Sequence, residues 1–328
     1  PSNLAVIYPH LETALPVARV LASGTILLLT SIVVFRALRA RPFLTTGYLW
    51  FIGTLVPVIG LIPFGVQVMA DRFTYIPLIG VFVMVAWGIP SVVASKEVLA
   101  IGSIITVLAS AGAAYIQTGY WSDSVTLFRR ALEVTQNNSV AHSQLGVALR
   151  AQGDLVGAIY HYREALRINP QYRPAQGNLA NALRDSERAD EAVPIFRQML
   201  QSRPGDFRTI TNLGMALKQT GQVNEAIRWF QEAVRLAPNY VAARKNLGNA
   251  LLQTGRIDEA ISQYSASLQF DQGDPEVHHN LAIAFYSKDS YDLAWREVHL
   301  CKQYGGSPAP KFLKRLVAKM PDPEGRLD

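Results

Sequence analysis

The chain repeats itself every 34 residues. The pairs Leu145-Gly146, Leu179-Ala180, Leu213-Gly214, Leu247-Gly248 and Leu281-Ala282 stand 34 apart, and twelve residues after each small residue comes Ala158, Ala192, Ala226, Ala260 or Ala294. Four positions further on stands Tyr162, Phe196, Phe230, Tyr264 or Val298. A fixed period of this length restricts the fold more than composition can, because each unit is one supersecondary element that buries its second face only against the next copy. Small residues let two antiparallel helices approach, and the leucines and aromatics fill the space between successive hairpins. Pro170, Pro204 and Pro238 end the second helix of the first three units, as a residue with fixed φ and no N–H should. The later units depart in detail. Gln272 and Gly306 stand where proline is expected, and Met199, Ser267 and Cys301 replace an alanine.

Charge divides the 328 residues into two solvents. Residues 1–120 carry six basic and three acidic side chains, residues 121–328 carry 25 and 22. Four hydrophobic stretches in the first part, about 16–35, 43–64, 73–95 and 97–120, approach or reach the roughly 20 residues a bilayer-spanning helix needs. Pro57, Pro63, Pro77 and Pro90 predict kinks, which neighbouring helices make tolerable in a membrane. Arg36, Arg39, Arg41 and Lys96 favour the cytoplasmic side for their loops, which places everything after Tyr120 outside the cytoplasm, whereas Arg129 and Arg130 argue the other way. Tyr48, Trp50, Tyr120 and Trp121 are expected at the interfaces.

The expected fold class is all-α: a multi-span transmembrane helix bundle followed by a repeat superhelix. Its expected divisions are a membrane domain over 1–120, a joining half-repeat helix over 121–138 with Phe128 and Ala131 in register, five repeats over 139–308, and a capping helix and tail over 309–328. Phe312, Leu313, Leu316, Val317 and Met320 share one face of that last helix; the alternative is that it lies on anionic lipid. Pro1 follows no initiator methionine or signal pattern, so the chain reads as the C-terminal part of a longer protein.

Several chemistries find no support. The basic pI of about 9.4 is not a nucleic-acid signal, since charges in the repeats alternate in sign. The single Cys301 excludes a disulfide framework and a Cys-rich metal site, and it falls where a small packed residue is wanted. His278 and His279, adjacent on a helix, face different directions and predict no metal pair. There is no nucleophile–base constellation, phosphate loop or dinucleotide fingerprint, so no catalytic or metal residue and no cofactor is assigned.

Two sets of residues carry candidate binding chemistry. In MADRFTYIPLIG, residues 69–80, an acid and a base open a span. Arg72, beside Asp71, could hold a lipid-linked phosphate, because guanidinium matches phosphate oxygens in a two-pronged fashion; alternatively the pair only marks a helix end at the headgroup layer. In the repeats, Asn178, Asn212, Asn246 and Asn280 stand 34 apart, with Gln144 at the same place in the first repeat and Asn181 and Asn249 one turn further on. A ladder of amides, each both donor and acceptor, can grip an extended peptide backbone without demanding a sequence; the alternative is a generic solvated groove. Lys245, Asn249 and Asn280 also resemble three members of the carboxylate clamp of some helical repeats, whose two further basic members would need a sixth repeat.

The repeats resemble the tetratricopeptide repeat over about residues 139–308, and the asparagine ladder is similar to that of O-GlcNAc transferase, where it contacts polypeptide substrates. Joined to NLAVIYPH at 3–10, GYLWFIGTLVPVIGL at 47–61 and MADRFTYIPLIG, they resemble the C-terminal portion of the transmembrane and tetratricopeptide repeat-containing proteins and their bacterial relatives. That resemblance implies the multi-span fold of glycosyltransferases that use polyprenyl-phosphate sugars, and O-mannosylation of proteins in the secretory pathway. It implies a lipid-linked sugar as donor substrate, Arg72 as a ligand of its phosphate, a catalytic acid upstream of Pro1, and membrane lipids and a polypeptide acceptor as partners. It also implies that the repeats lie on the periplasmic or lumenal side. The alternative is a non-enzymatic scaffold for protein–protein interaction at the cell envelope.

Overall fold

The computed structural model describes residues 17–37, 41–58, 75–91, 93, 95–323 and 325. Among them every regular element is a helix. The order is α1 (Val17–Arg36), α2 (Pro42–Val58), α3 (Tyr75–Gly88), a 3₁₀ turn (Ile89–Ser91), α4 (Lys96–Gly119), α5 (Ser124–Val134), α6 (Ser139–Ala151) and α7 (Leu155–Ile168), then α8 (Arg173–Asp185), α9 (Ala189–Ser202), α10 (Phe207–Gln219), α11 (Val223–Leu236), α12 (Val241–Gln253), α13 (Ile257–Leu268), α14 (Pro275–Tyr286), α15 (Tyr291–Gln303) and α16 (Pro310–Lys319). The chain divides into two compact units, Pro1–Tyr172 and Arg173–Asp328.

In the first unit a helix stands in each of the four apolar stretches, but only α4 is long and apolar enough to cross a bilayer, from Lys96 to Ile116. Its side chains are exposed along almost all of that length. The apolar runs Thr25–Arg36 and Ile79–Gly88 are shorter than the ~20 residues a span needs, so the described residues hold one candidate span; residues 59–74 of the expected second and third spans lie outside them. Asp71 and Arg72 lie outside the described residues, as does Arg39.

Helices α2 and α3 touch backbone to backbone. A Cβ on Gly80 would collide with the Gly47 carbonyl oxygen and lie 2.8 Å from the Phe51 amide nitrogen. Small-residue contacts of this kind let helices associate where no water drives them together. Between α1 and α2 the hydroxyls of Ser31 and buried Tyr48 meet at 2.5 Å, a polar bond linking two apolar helices. After α4, the Asp123 carboxylate caps α5 by accepting from the Val125 and Thr126 amides, and the Arg130 guanidinium lies 4.8 Å over the Tyr120 ring. Helix α5 packs on α6, and α6 pairs with α7 as the first repeat.

The second unit holds four repeats, in which α8, α10, α12 and α14 are first (A) helices and α9, α11, α13 and α15 second (B) helices. Phe196, Phe230, Tyr264 and Trp295 are fully buried between them. A Cβ on Gly214 or Gly248 would run into the ring of Phe230 or Tyr264, so the glycine is the condition for the close approach. The turn from A to B helix needs a left-handed residue at one register position. Glycine supplies it at Gly153, Gly221 and Gly255 with φ of 86°, 82° and 77°; Glu187 and Asp289 adopt 63° and 58° there in the second and fifth repeats, at about 1–2 kcal/mol each. At the far end α16 buries Phe312 and Leu316 against Trp295 and Val298, and the Trp295 indole donates to the Met320 carbonyl at 3.0 Å. Helix α16 thus covers the last apolar face of the array, as a terminal cap must.

Successive A helices of this unit touch one another, whereas contacts between successive B helices are sparser. The A helices therefore form the inner, concave side.

Candidate peptide-binding face

Each repeat is counted from the first residue of its A helix: Ser139, Arg173, Phe207, Val241 and Pro275. Position 6 then holds Gln144, Asn178, Asn212, Asn246 and Asn280; position 9 holds Val147, Asn181, Met215, Asn249 and Ile283. The helix turn places both on the concave side, and all six asparagines are partly buried.

Their bonding differs along the unit. The Asn249 Oδ1 accepts from the Tyr264 hydroxyl at 2.6 Å and from Asn280 Nδ2 of the next repeat at 2.9 Å. Burial pushes the Tyr264 phenol above its ordinary value, which keeps it a donor. Asn246 turns back on its own helix and donates to the Ala242 carbonyl at 2.8 Å. Asn212 Oδ1 accepts from Arg184 Nη1 at 3.2 Å, while Arg184 Nη2 holds Asp185 at 3.0 Å. The Asn181 Oδ1 is buried with no hydrogen-bond partner, and the Asn178 side chain makes no hydrogen bond among the described residues. The structure therefore brings Asn249 and Asn280 together, couples Asn212 to an arginine, and leaves Asn178 and Asn181 unbonded.

The clamp expected at Lys245, Asn249 and Asn280 is occupied from within. Lys245 Nζ bonds Asp274 at 3.0 Å and Glu276 at 2.8 Å. Burial alone would depress this ammonium, but the bonds to Glu276 and Asp274 outweigh it and hold the group above its ordinary value.

Sequence reasoning missed a second set. Positions 4 and 23, nineteen residues apart, bond across the A and B helices in three repeats: His142 with His161 (Nδ1 to Nδ1, 3.0 Å), Arg244 with Gln263 (3.3 Å), and His278 with Glu297 (2.6 Å). The equal spacing stands in the sequence, but which polar side chains meet across the two helices is set by their packing. Both ring nitrogens of buried His278 face oxygens, Glu297 at 2.6 Å and the Gln272 carbonyl at 3.0 Å. In the first repeat the pairing is base with base. Burial lowers both imidazoles; His142, Arg129 and Arg167 push the same way, and Glu164 opposes them. Cys301 is buried, and burial raises its thiol.

The family model of the tetratricopeptide repeat matches residues 139–172, and a second one matches 183–235 and 219–283. These segments are tetratricopeptide repeats. No curated protein matches the chain. Among solved structures, a Pseudomonas aeruginosa protein, PilF, is 26% identical over 57% of this chain and 86% of its own, with a TM-score of 0.50. YrrB, described as a tetratricopeptide repeat protein with an unusual peptide-binding site, is 23% identical over 57% of this chain and 96% of its own, with a TM-score of 0.46. MamA from Desulfovibrio magneticus is 18% identical over 52% and 96%, with a TM-score of 0.45.

Proposed function

We propose that this chain holds extended polypeptide on the A-helix face of its second unit while its apolar helices fix it in a bilayer. The observation that carries the reading is the row of amides on successive A helices, of which Asn178 and Asn181 are not consumed by internal bonds. An amide donates and accepts at once, so a row of them can bond a peptide backbone irrespective of sequence. The exposed apolar length of α4, the glycine contact of α2 with α3 and the Ser31–Tyr48 bond are features that a lipid environment accounts for. The test is anisotropy of a labelled unfolded peptide with the full chain in nanodiscs. Replacing Asn178, Asn181 and Asn212 together by alanine weakens capture about tenfold on this reading; unchanged affinity overturns it. Extraction of cell membranes with alkaline carbonate checks the anchoring, since release into the supernatant is incompatible with a spanning α4.

The finer reading is the acceptor-holding arm of a protein O-glycosyltransferase. It rests on the resemblance of residues 3–10, 47–61 and 69–80 to the transmembrane and tetratricopeptide repeat-containing proteins. On this reading a polyprenyl-phosphate sugar is the donor, Arg72 beside Asp71 holds its phosphate, and the repeats lie outside the cytoplasm. Sugar release from such donors by full-length protein, compared with Arg72→Ala, tests it. Equal turnover removes Arg72 from the site, and no turnover in either leaves the scaffold.

A further inference from the structure

The charges of the second unit are sorted by helix. Its four A helices carry six basic and two acidic side chains, whereas its four B helices carry five basic and eight acidic ones. The alternation along the sequence is therefore sorted by helix, net positive on the A helices that line the concave side and net negative on the B helices. Both acids of the A helices are already neutralised, Asp185 by Arg184 and Glu276 by Lys245. Arg173 and Arg244 are engaged with Ser202 and with the Pro238 carbonyl and Gln263. Arg208 and Lys218 remain, both on α10, which carries no acid; neither makes an ion pair among the described residues, and the Arg208 guanidinium lies 5.8 Å over the Phe207 ring. The same stretch holds Asn178 and Asn181, whereas repeats 4 and 5 bond their amides to each other and their lysine to Asp274 and Glu276.

We propose that the α8–α10 stretch of the concave face takes an extended polypeptide segment rich in aspartate and glutamate, whose carboxylates meet Arg208 and Lys218 while its backbone bonds the Asn178 and Asn181 amides. This rests on the polypeptide reading of the same face and names the class of its ligand. Arg184 spans the two helices and positions Asn212 at 3.2 Å. A nucleic acid would also seek positive charge, but single strands bind by stacking bases on aromatic rings. The only aromatic on α8 and α10 is Phe207, whose ring is engaged edge-on with Tyr240 at 5.0 Å.

The experiment uses the full chain in nanodiscs of uncharged lipid and four labelled probes of equal length: an extended peptide with Asp and Glu at alternate positions, the same peptide with Asn and Gln, the same with Lys, and a single-stranded oligonucleotide. The acidic peptide binds at least tenfold tighter than the amide one, and raising salt from about 0.05 M to about 0.5 M removes most of that difference. Arg208→Gln with Lys218→Gln reduces acidic-peptide affinity roughly fivefold to tenfold and leaves the amide peptide unchanged. Arg228→Gln on the convex side, also exposed, changes neither. Equal binding of acidic and amide peptides overturns the charge inference and leaves peptide capture standing. Tighter binding of the Lys peptide or of the oligonucleotide overturns it in favour of another ligand class. Failure of every peptide to bind removes the inference and the reading it rests on together. Arg208 is exposed and Lys218 half-buried, and an unchanged circular dichroism melt separates loss of charge from loss of fold.

Discussion

The second and fourth repeats place the same amide at the same register position, and its fate differs. At position 9 of the fourth repeat, Asn249 is locked by two donors, Tyr264 of its own B helix and Asn280 of the next A helix. At position 9 of the second, the Asn181 carbonyl is buried with none, because position 24 of that repeat is Phe196 and offers no hydroxyl. The first repeat shows the mirror image. Tyr162 supplies the hydroxyl, position 9 is Val147, and the buried phenol has no partner. Side-chain identity at one position therefore says little until the residue fifteen further on is read with it. The difference also separates a stretch of the concave face whose amides are internally satisfied from one whose amides lack internal partners.

The largest expected effect comes from breaking the satisfied network. Asn249→Ala removes the acceptor of two donors and leaves the Tyr264 hydroxyl buried without one, a cost of about 1–3 kcal/mol in urea unfolding. A loss below ~0.5 kcal/mol would mean that the network does not distinguish the two repeats. Next, Phe196→Tyr rebuilds the fourth repeat's pair inside the second. Donation to Asn181 stabilises by about 0.5–1.5 kcal/mol, and the same variant weakens peptide capture by consuming the open amide; a destabilised variant would show that the two pockets do not superpose. Tyr162→Phe removes an unpaired buried hydroxyl and is expected to be neutral or stabilising by up to ~1 kcal/mol, against a loss for the corresponding Tyr264→Phe. Equal effects of the two substitutions would erase the contrast.

The smallest effect concerns the histidine pair of the first repeat. His142 and His161 are held below their ordinary value of 6.5, so below that pH the unfolded chain binds more protons than the folded one. Their contribution to stability is present above 6.5 and is lost as pH falls through the lowered folded values. Burial is the main cause of the lowered values, and the head-on Nδ1–Nδ1 bond acts in the same direction, since it accommodates one proton between the rings, not two. Thermal melts from about pH 7.5 to about pH 5 should show a decline that His161→Gln reduces. An unaltered slope would assign the decline elsewhere.

Much of the fold was legible in advance. The Leu-Gly and Leu-Ala pairs, the alanines and the aromatics 34 apart located each hairpin of the repeats, since packing two helices at close range demands small and large residues at fixed separations. The candidate face was legible only as a list of positions. Which asparagines are free depends on Tyr264, Phe196, Arg184 and Asn280, and no single-position reading includes them. A helix stands in each of the four apolar stretches, whereas a bilayer-spanning length is met by α4 alone among the described residues, since the stretches 43–64 and 73–95 run through residues 59–74, which lie outside them.

The sequence by itself determined the period, the helical class and the inward positions of the amides, because these follow from residue size and spacing along one chain. The tertiary structure alone decided which amides are spent, and that Lys245 is closed by Asp274 and Glu276. Hydrogen bonds and ion pairs form between groups that the stacking of repeats brings within about 3 Å, and that separation is a property of the packed array.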